Sequence, residues 1–357
     1  MHSETSCTQA PDGQPFQLNF LRNASGMCVT VMDWGATWTS CLLPLSSNET
    51  REVLLGCTPE HYPHQSAYMG ASVGRYANRI ANAVIEQGGH VTPLVANSGK
   101  NQLHGGPVGF NARRWQIVQH SENAITYQLH SPAGDQGFPG HLIVEAHYHL
   151  TDDNQLTIAY RAEVDSPCPV CLTNHAYFNL DGTFEDVRRH HLQLFADHFL
   201  PTDAQGIPFG ELKPVADSSM DFRLLKTLQQ DFLTDDDQRA VGGYDHAFLL
   251  RQDTPAPHPA AVLWSSDKRI RLDVSTSAPA LQVYTGNALE GTPDRNGGRY
   301  PHCAGIALES EFLPDSPHHP EWPQPDCWLR PGETYLSLTV HRFFFDDAPN
   351  VLYHLDS

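Results

Sequence analysis

One carboxylate near the end of the sequence has a setting suited to acid or base chemistry. Glu309 follows the short apolar run 306–308, and a Pro-rich loop begins a few residues later. A strand that ends in a carboxylate and opens into a rigid loop can present that group to a cleft, where it exchanges protons with a ligand. On this stretch alone a solvated surface role is favoured for Glu309, because most Glu side chains face water. The other polar motifs must decide between the two roles.

A histidine and a tyrosine occupy a predicted strand at residues 173–180. His175 and Tyr177 are two residues apart and therefore point to one face, while Asn174 points to the other. A half-buried strand normally places aliphatic residues at such positions. The pair fits a polar, aromatic sugar site, and a buried, hydrogen-bonded histidine is an equally good interpretation of this motif by itself.

Further binding groups lie on other strands and loops. Arg79 can donate a forked pair of hydrogen bonds to sugar hydroxyls, although a structural salt bridge is as good an interpretation. His104 precedes two glycines, which allow close approach to a ligand, yet a turn with an incidental histidine is slightly favoured. Asp245 precedes an apolar strand, where a turn residue is the alternative. Gln282 and Tyr284 share one face of another strand, where an exposed cross-strand pair is the alternative. Together with Glu309 and His175, these residues are the inventory of a neutral sugar site with one acid and one base.

The elements that must position these groups are strands, because the dominant hydrophobic period is two. Apolar and polar residues alternate in four stretches, which indicates half-buried antiparallel strands at residues 141–150, 155–164, 268–276 and 334–343. One helix is predicted, at residues 224–239, with an acidic patch near its end where the helix dipole disfavours acids. No repeat or linker marks a boundary, so residues 1–357 are predicted to form a single all-β domain. We expect a large antiparallel β-sandwich with few short helices.

Composition limits the partners. The chain of 357 residues carries 22 Lys and Arg against 41 Asp and Glu, a formal net charge of −19. Such a surface repels nucleic acid and anionic membranes, so we expect neither as a partner and expect small neutral ligands. The start of the chain does not resemble a signal peptide, and no apolar run is long enough for a membrane span. We therefore expect a cytoplasmic protein with reduced thiols.

The cysteines and histidines do not predict a redox or metal centre. Eight Cys in so long a chain do not form a disulfide framework. Cys168 and Cys171 have the spacing of a redox motif, but they lie in an apolar, strand-like run and not at the helix start that would lower a thiol pKa. The 21 His lack the spacing of a metal-binding helix, so hydrogen-bonded or solvated roles are expected for most of them.

Six motifs, in order along the chain, resemble the signature of the aldose 1-epimerase (galactose mutarotase) family. They are GRYANR (74–79), LHGG (103–106), TNHAYFNL (173–180), YDH (244–246), QVYTGN (282–287) and LE (308–309). The resemblance extends over nearly the whole chain, and residues 308–325 are similar to bacterial members in particular. Six ordered motifs are specific in a way that no single one is.

This resemblance implies a fold, an activity and a site. The fold would be the galactose mutarotase-like supersandwich. The activity would be an isomerase that interconverts the α and β anomers of free aldohexoses such as glucose and galactose, without cofactor or metal, in a monomer or weak homodimer. His175 resembles the general acid of the family and Glu309 its general base. The matching sugar-binding positions are Arg79, His104, Asp245 and Gln282, flanked by Asn78 and Tyr177.

The sequence departs from the family pattern at two positions. Cys171 stands where a polar residue, usually Asn, is expected, and this change is expected to alter packing behind His175. His318 stands where Asn is common, and this change is expected to alter the rim of the site. Neither departure removes a chemical group from the site.

Anomer exchange requires two groups that titrate near neutral pH. A histidine does so unaided, whereas Glu309 needs a raised pKa, which burial by residues 306–308 and repulsion from Glu311 would supply. A glycoside hydrolase is one alternative, with Glu309 paired with Asp245 or Glu311. A non-catalytic sugar-binding protein of the same fold is another, but it would need an altered acid or base, and both are present.

Overall fold

The computed structural model describes residues 2–345 and consists mainly of strands, as the alternating pattern predicted. In chain order the strands are β1 (His2–Gln9), β2 (Pro15–Arg22), β3 (Cys28–Met32), β4 (Thr37–Ser46), β5 (Glu49–Glu52), β6 (Ser72–Val73), β7 (Arg79–Ile80), β8 (Val84–Gln87), β9 (His90–Pro93), β10 (Gln102–Leu103), β11 (Gln116–His120), β12 (Ala124–Ser131), β13 (Leu142–Leu150), β14 (Gln155–Val164), β15 (Cys168–Pro169), β16 (Thr173–Asn174), β17 (Tyr177–Phe178), β18 (His191–Leu194), β19 (Ala196–Leu200), β20 (Lys213–Pro214), β21 (Lys226–Thr227), β22 (Asp245–Leu250), β23 (His258–Trp264), β24 (Ile270–Thr276), β25 (Ala280–Tyr284), β26 (Ile306–Glu311), β27 (Trp328–Leu329) and β28 (Tyr335–Phe345).

Helices are few and short in the described part of the chain. One is an α-helix, α1 (Asp236–Val241). Single turns of 3₁₀-helix lie at Pro59–His64, Ala81–Ala83, Phe110–Ala112, Asp135–Gly137, Val187–Arg189 and Ser316–His318. No helix among residues 2–345 combines the length and the apolar content that a bilayer crossing needs.

Three antiparallel sheets carry most of the strands. The largest has nine strands in the order β11-β12-β13-β14-β28-β24-β23-β18-β21, the second has six in the order β17-β26-β25-β22-β19-β20, and the third is the meander β1 to β5. The hydrophobic cluster between the large sheets includes Leu272 and Phe343 from the nine-stranded sheet and Phe178 and Leu308 from the six-stranded sheet. The sheets therefore pack face to face, as expected of a β-sandwich.

Strand β28 joins two parts of the nine-stranded sheet that are distant in sequence. It pairs along one edge with β14 and along the other with β24. Val340, for example, lies opposite Thr157 on one side and Ser275 on the other. The inward faces follow the predicted alternation. In β13 the fully buried residues are Leu142, Val144, Ala146, Tyr148 and Leu150.

The predicted helix at residues 224–239 is wrong in extent. Leu224 is 77% exposed, and the chain before α1 consists of turns and the short strand β21. The acidic patch begins the helix and does not end it: the Asp235 side chain accepts the N–H of Gln238 as an N-cap, and the helix stops at Gly242 with φ 77°. Acids in the first turn favour a helix because they face the positive end of its dipole.

The predicted strand at residues 173–180 is interrupted. Its two pieces, β16 and β17, pair with different strands, β6 and β26. Between them, the N–H of His175 donates to the carbonyl of Ala71, and the His175 carbonyl accepts the N–H of Gly70. His175 is thus held on both sides by one loop, and this loop fixes where its ring lies.

Candidate active site

The six-stranded sheet sets three of the expected site residues on neighbouring strands. Gln282 in β25 lies opposite Glu309 in β26, and β25 pairs in turn with β22, which begins at Asp245. The Gln282 side chain donates from Nε2 to Oδ1 of Asp245 at 2.7 Å. Gln282 and Asp245 therefore form one hydrogen-bonded pair beside the Glu309 carboxylate.

The expected acid and base are adjacent. Nε2 of His175 lies 3.5 Å from Oε1 of Glu309. Both residues are buried, at 3% and 2% exposure. Oε2 of Glu309 and Nδ1 of His175 have no hydrogen-bond partner within residues 2–345. Two proton-exchanging groups with unused polar atoms therefore face each other in a dry environment.

Burial sets the protonation of these groups. Burial, helped by the carboxylates of Glu311 and Asp245, raises the pKa of Glu309 well above its ordinary value. Burial also raises the pKa of Glu311 to about 8. The same desolvation lowers the pKa of His175 to about 4. All six residues of β26 are buried, so Glu309 lies in the desolvated setting that a raised pKa requires, although Ile306 and Leu308 belong to the core on the opposite face of the strand.

Asn78 connects several site residues through its own hydrogen bonds. Its side chain donates from Nδ2 to Oε1 of Glu311 at 2.7 Å, and its Oδ1 accepts the N–H of Arg79 at 3.0 Å. Its backbone N–H donates to Nδ1 of His104 at 3.0 Å, and its carbonyl accepts the N–H of His104 at 2.9 Å. Most of the hydrogen-bonding capacity of Asn78 is therefore used within the protein.

The bond from Asn78 also fixes the tautomer of His104. Because Nδ1 accepts a backbone N–H, the ring proton must sit on Nε2, which is then a donor. Burial lowers the pKa of His104 well below its ordinary value, so the ring stays neutral. His104, His175 and Glu309 have ligand atoms within 4.8 Å of one another, a spacing that a metal ion accepts. A protonated Nε2 on His104 suits a hydroxyl oxygen better than a cation.

The Arg79 side chain packs against Gly206 beside the site. A Cβ added to Gly206 would lie 2.6 Å from Cζ of Arg79, so the guanidinium packs directly on the backbone of this residue. Its positive charge opposes the rise in the pKa of Glu309 and Glu311. Nε of Arg79 is buried and has no partner among the described residues. The guanidinium therefore retains donors for a ligand.

Aromatic rings enclose the acid and base. Tyr68 stacks on His175 with ring centroids 6.0 Å apart and an interplanar angle of 17°, and its edge meets His104 at 4.7 Å. Tyr284 lies 6.5 Å from His175 on the other side. Sequence reasoning missed Tyr68, a single tyrosine in a loop with φ 55° and no motif around it. The sequence did indicate Tyr284, because it lies two residues from Gln282 on the same face of a predicted strand.

Tyr177 lies next to the catalytic candidates but uses its hydroxyl elsewhere. Its ring centroid is 4.8 Å from that of His175, and its hydroxyl donates to the carbonyl of Ala67 at 3.0 Å. The residue is 1% exposed, and its ring packs between those of His175 and Tyr284.

The two departures from the family pattern lie behind and beside the site. Sγ of Cys171 accepts the N–H of Phe312 at 3.3 Å, so this thiol packs next to Glu311. Burial raises the pKa of both Cys168 and Cys171, the former to about 11, which leaves them as unreactive thiols. His318 lies in the loop after β26, where its Nδ1 is 2.7 Å from Oδ1 of Asp315.

The sequence and fold of this chain match known proteins over most of its length. The family model for aldose 1-epimerase matches residues 17–342. The aldose 1-epimerase of Escherichia coli is 57% identical over 335 residues, which cover 94% of this chain and 97% of that protein. The galactose mutarotase of mouse is 36% identical and covers 94% and 96% of the two chains.

Solved structures agree on the fold. An aldose epimerase homologue from C. elegans superposes with a TM-score of 0.84 at 30% identity, over 92% of this chain and 99% of that one. A galactose 1-epimerase from Lactobacillus acidophilus gives 0.83 at 29% identity, over 96% and 99%. The architecture is thus the galactose mutarotase-like fold, and the chain belongs to the aldose 1-epimerase family.

Proposed function

We propose that this protein is an aldose 1-epimerase that interconverts the α and β anomers of free aldohexoses such as glucose and galactose. The observation that carries the proposal is the buried pair of His175 and Glu309, 3.5 Å apart and surrounded by hydroxyl-binding groups. Anomer exchange needs one base and one acid at adjacent oxygens of the same ring, and this pair supplies both. The relatives named above for the same reaction support the assignment.

The proposed reaction opens and closes the sugar ring. Glu309 takes the proton of the C1 hydroxyl while His175 protonates the ring oxygen, and the bond between C1 and the ring oxygen breaks. The aldehyde turns about the C1–C2 bond and the ring closes on its other face. The two groups then return the protons in the reverse direction, so the enzyme is regenerated unchanged.

The folded site holds the right number of protons for this cycle. Burial favours a neutral His175 and a protonated Glu309. This state has the same proton count as an imidazolium beside a carboxylate, and it is the state that must accompany the open-chain sugar. The two states differ only by one proton shifted between atoms that lie 3.5 Å apart. A bound sugar that stabilises both charges therefore needs no proton from solvent.

The remaining expected residues divide into two proposed roles. Arg79, His104 and the pair formed by Asp245 and Gln282 retain polar atoms for sugar hydroxyls. Asn78 already donates to Glu311 and holds His104, so we assign it to positioning. The Tyr177 ring packs against that of His175, so we assign it to positioning as well.

The test is the rate of mutarotation of fresh α-D-glucose and α-D-galactose, followed by polarimetry with and without protein. Replacing Glu309 with Gln keeps the shape of the side chain and removes the base. We expect Glu309→Gln to lower kcat by at least ~100-fold, the usual contribution of a positioned base. KM should change much less, because the amide still fills the same space.

Glu122→Gln is the matched control, because it makes the same change at an exposed position. An undiminished kcat in Glu309→Gln would contradict the assignment of the base. Incubation with a disaccharide separates the hydrolase alternative, which predicts release of reducing sugar, whereas an epimerase releases none.

We further propose that residues 1–357 form one domain, that the protein is cytoplasmic and that it is a monomer or weak homodimer. Strand β28, which joins distant parts of one sheet, supports a single domain. The net charge of −19 supports a protein without nucleic-acid or anionic membrane partners. Size-exclusion chromatography over a range of concentrations tests the oligomeric state.

A further inference from the structure

The loop that follows β26, the strand of Glu309, is hydrogen-bonded to β7, the strand of Arg79. Asp315 is the link: its backbone N–H donates to the carbonyl of Arg79 at 2.9 Å, and its Oδ1 accepts the N–H of Ala81 at 2.8 Å. The residue is 3% exposed and adopts φ 61°. Asp315 therefore holds the backbone on both sides of Ile80, and the state of its carboxylate affects where Arg79 is placed.

His319 lies between two carboxylates. Its Nε2 is 3.3 Å from Oδ2 of Asp315, and its Nδ1 is 2.9 Å from Oε1 of Glu321. A neutral imidazole has one N–H, so one of these contacts would set a nitrogen lone pair against a carboxylate oxygen. Both contacts are favourable only when both nitrogens carry protons. The geometry therefore matches an imidazolium.

An aromatic ring supports the same charge state. The ring of His319 stacks on Trp322 with centroids 4.0 Å apart and an interplanar angle of 11°. An indole face attracts a cation. Hydrogen bonding to Asp315, followed by that to Glu321, raises the pKa of His319 above its ordinary value. The pKa shift and the geometry thus agree.

The surroundings of His319 contain few other ionisable groups. His318, whose Nδ1 contacts Oδ1 of Asp315, is a second imidazole that slightly opposes the charge on His319. Strand β8 packs against the turn Ser316–His318 and carries one ionisable residue, Glu86, which is exposed. Asp315 and, more weakly, the backbone carbonyl of Val84 raise the pKa of His318 as well. Of the two imidazoles, His319 is the one that lies between two carboxylates.

We propose that His319 is a positioning residue whose imidazolium fixes Asp315, and through it the backbone that carries Arg79, so that sugar affinity depends on its proton. The proposal rests on the epimerase activity proposed above. Its sign follows from linkage: the interaction is complete at acidic pH, below the ordinary pKa of histidine, and is lost as pH rises through the raised pKa of the folded state. Loss of the proton should raise KM and leave kcat largely unchanged, because His319 touches neither the acid nor the base.

The primary test compares KM and kcat of wild-type protein and His319→Gln across the neutral and alkaline range, with the uncatalysed rate subtracted. In the wild type we expect KM to rise about fivefold between about pH 6 and about pH 9.5, as a charge-assisted contact is lost. In His319→Gln we expect KM to be raised at every pH without that rise.

A second variant keeps the test valid if His319→Gln folds poorly. The Glu321 side chain is 64% exposed, so Glu321→Gln leaves the fold intact while removing one of the two carboxylates around His319. We expect the rise in KM to move to lower pH in this variant. His90→Gln, at an exposed position in β9, is the matched control and should keep the wild-type profile.

The charge state has a readout independent of catalysis. The ¹⁵N NMR signals of the His319 ring, assigned by their loss in His319→Gln, should show two protonated nitrogens near pH 7. Neutral-ring signals, or an unchanged KM profile in both variants, would overturn the proposal. A rise in KM accompanied by an equal fall in kcat and by a lower melting temperature would also overturn it, because that combination indicates a merely structural role. An inactive wild-type protein would instead contradict the proposed function, while the ring signals would still decide the charge.

Discussion

At the scale of single residues, Glu309 and Glu311 show how two identical side chains on one strand acquire different tasks. Both are buried and face the same side of β26. Glu311 is held by the side chain of Asn78, whereas Oε2 of Glu309 has no partner within residues 2–345 and its Oε1 faces His175. Glu311 is therefore placed to tune Glu309 through its charge while it holds Asn78.

Removing the charge of Glu311 should change the pH dependence of the reaction. A like charge raises the pKa of a carboxyl group, so its removal in Glu311→Gln should lower the pKa of Glu309. The pair formed by His175 and Glu309 then loses its single proton at lower pH, and we expect the alkaline limb of kcat/KM to move down by about one pH unit. The amide oxygen of Gln still accepts from Asn78, so the site geometry is kept.

Thermal unfolding gives a second readout for the same variant. Burial raises the pKa of Glu311 in the folded state to about 8, so its stabilising contribution is present at acidic pH and is lost as pH rises through that value. Between about pH 5 and about pH 9, we expect the melting temperature of Glu311→Gln to fall less than that of the wild type. The exposed exchange Glu290→Gln is the control, and identical profiles for wild type and Glu311→Gln would contradict this account.

At this scale the sequence singled out most of the polar residues that the structure brings together around Glu309. Asp245, Gln282 and Glu309 lie on regular strands, where side-chain direction follows from position. Tyr68 and the hydrogen bonds of Asn78 could not be found in the same way, because both residues have positive φ in loops whose partners are distant in sequence. Such conformations are set by tertiary contacts and not by local pattern.

At the scale of elements, a loop outside the six-stranded sheet supports one of the proposed binding groups. The loop before β20 contributes Gly206, on which the Arg79 guanidinium rests. A different arginine, Arg75, supports another loop from below: its Nη2 donates to the carbonyls of Ser131 and Gly140 at 2.9 and 2.8 Å. Arg75 thus serves the scaffold, whereas Arg79, four residues later, is proposed to bind the ligand.

Gly206→Ala tests whether the seat of Arg79 matters for sugar binding. The new Cβ would lie 2.6 Å from Cζ of Arg79, so the guanidinium must move. We expect KM to rise about tenfold, the effect of losing roughly one hydrogen bond to a charged group, with a much smaller change in kcat.

Gly210→Ala is the matched control for this change. Gly210 has a similar left-handed conformation, φ 71° against 75°, but nothing lies within 4 Å of its added Cβ. It therefore reproduces the backbone strain without the collision. Equal KM values for the two variants would show that strain alone explains the effect.

The element that the sequence predicted least well is α1. Apolar residues at Leu225, Leu228 and Phe232 have helical spacing, but the chain there forms turns and a short strand. A usable signal lay in Asp235 and Gln238, three residues apart, which is the spacing of a capping box. The prediction relied on the hydrophobic spacing, whereas the helix begins where the Asp235 side chain caps it.

At the scale of the whole molecule, the alternating strands were predictable and their order in the sheets was not. The inward residues of β13 and β14 follow the period-two pattern residue by residue. The pairing of β28 with both β14 and β24 brings together strands separated by more than a hundred residues, which no local pattern encodes. The periodicity predicted an antiparallel β-sandwich, and the family resemblance predicted which sandwich fold it would be.

The double pairing of β28 predicts an unequal response to proline. Val340 has a paired strand on each side, so Val340→Pro removes a ladder hydrogen bond in the middle of the nine-stranded sheet. We expect failure to purify folded protein or a large fall in melting temperature.

Val118→Pro provides the comparison. Val118 is half exposed and lies at a register shift in β11, an edge strand, where proline is tolerated. We expect it to remain folded and active. A similar fall in melting temperature in both variants would contradict the view that the central position of β28 makes the sheet sensitive to proline.

β28 has a consequence for synthesis in the cell, because it follows every other described strand in the chain. On the ribosome, β14 and β24 are complete well before their shared partner leaves the exit tunnel. Each then presents an open strand edge, the kind of surface that captures other nascent chains. At about 5–20 residues per second, the interval after β24 lasts several seconds. Codons that slow translation between β24 and β28 should therefore increase the share of newly made chains that aggregate or require chaperones.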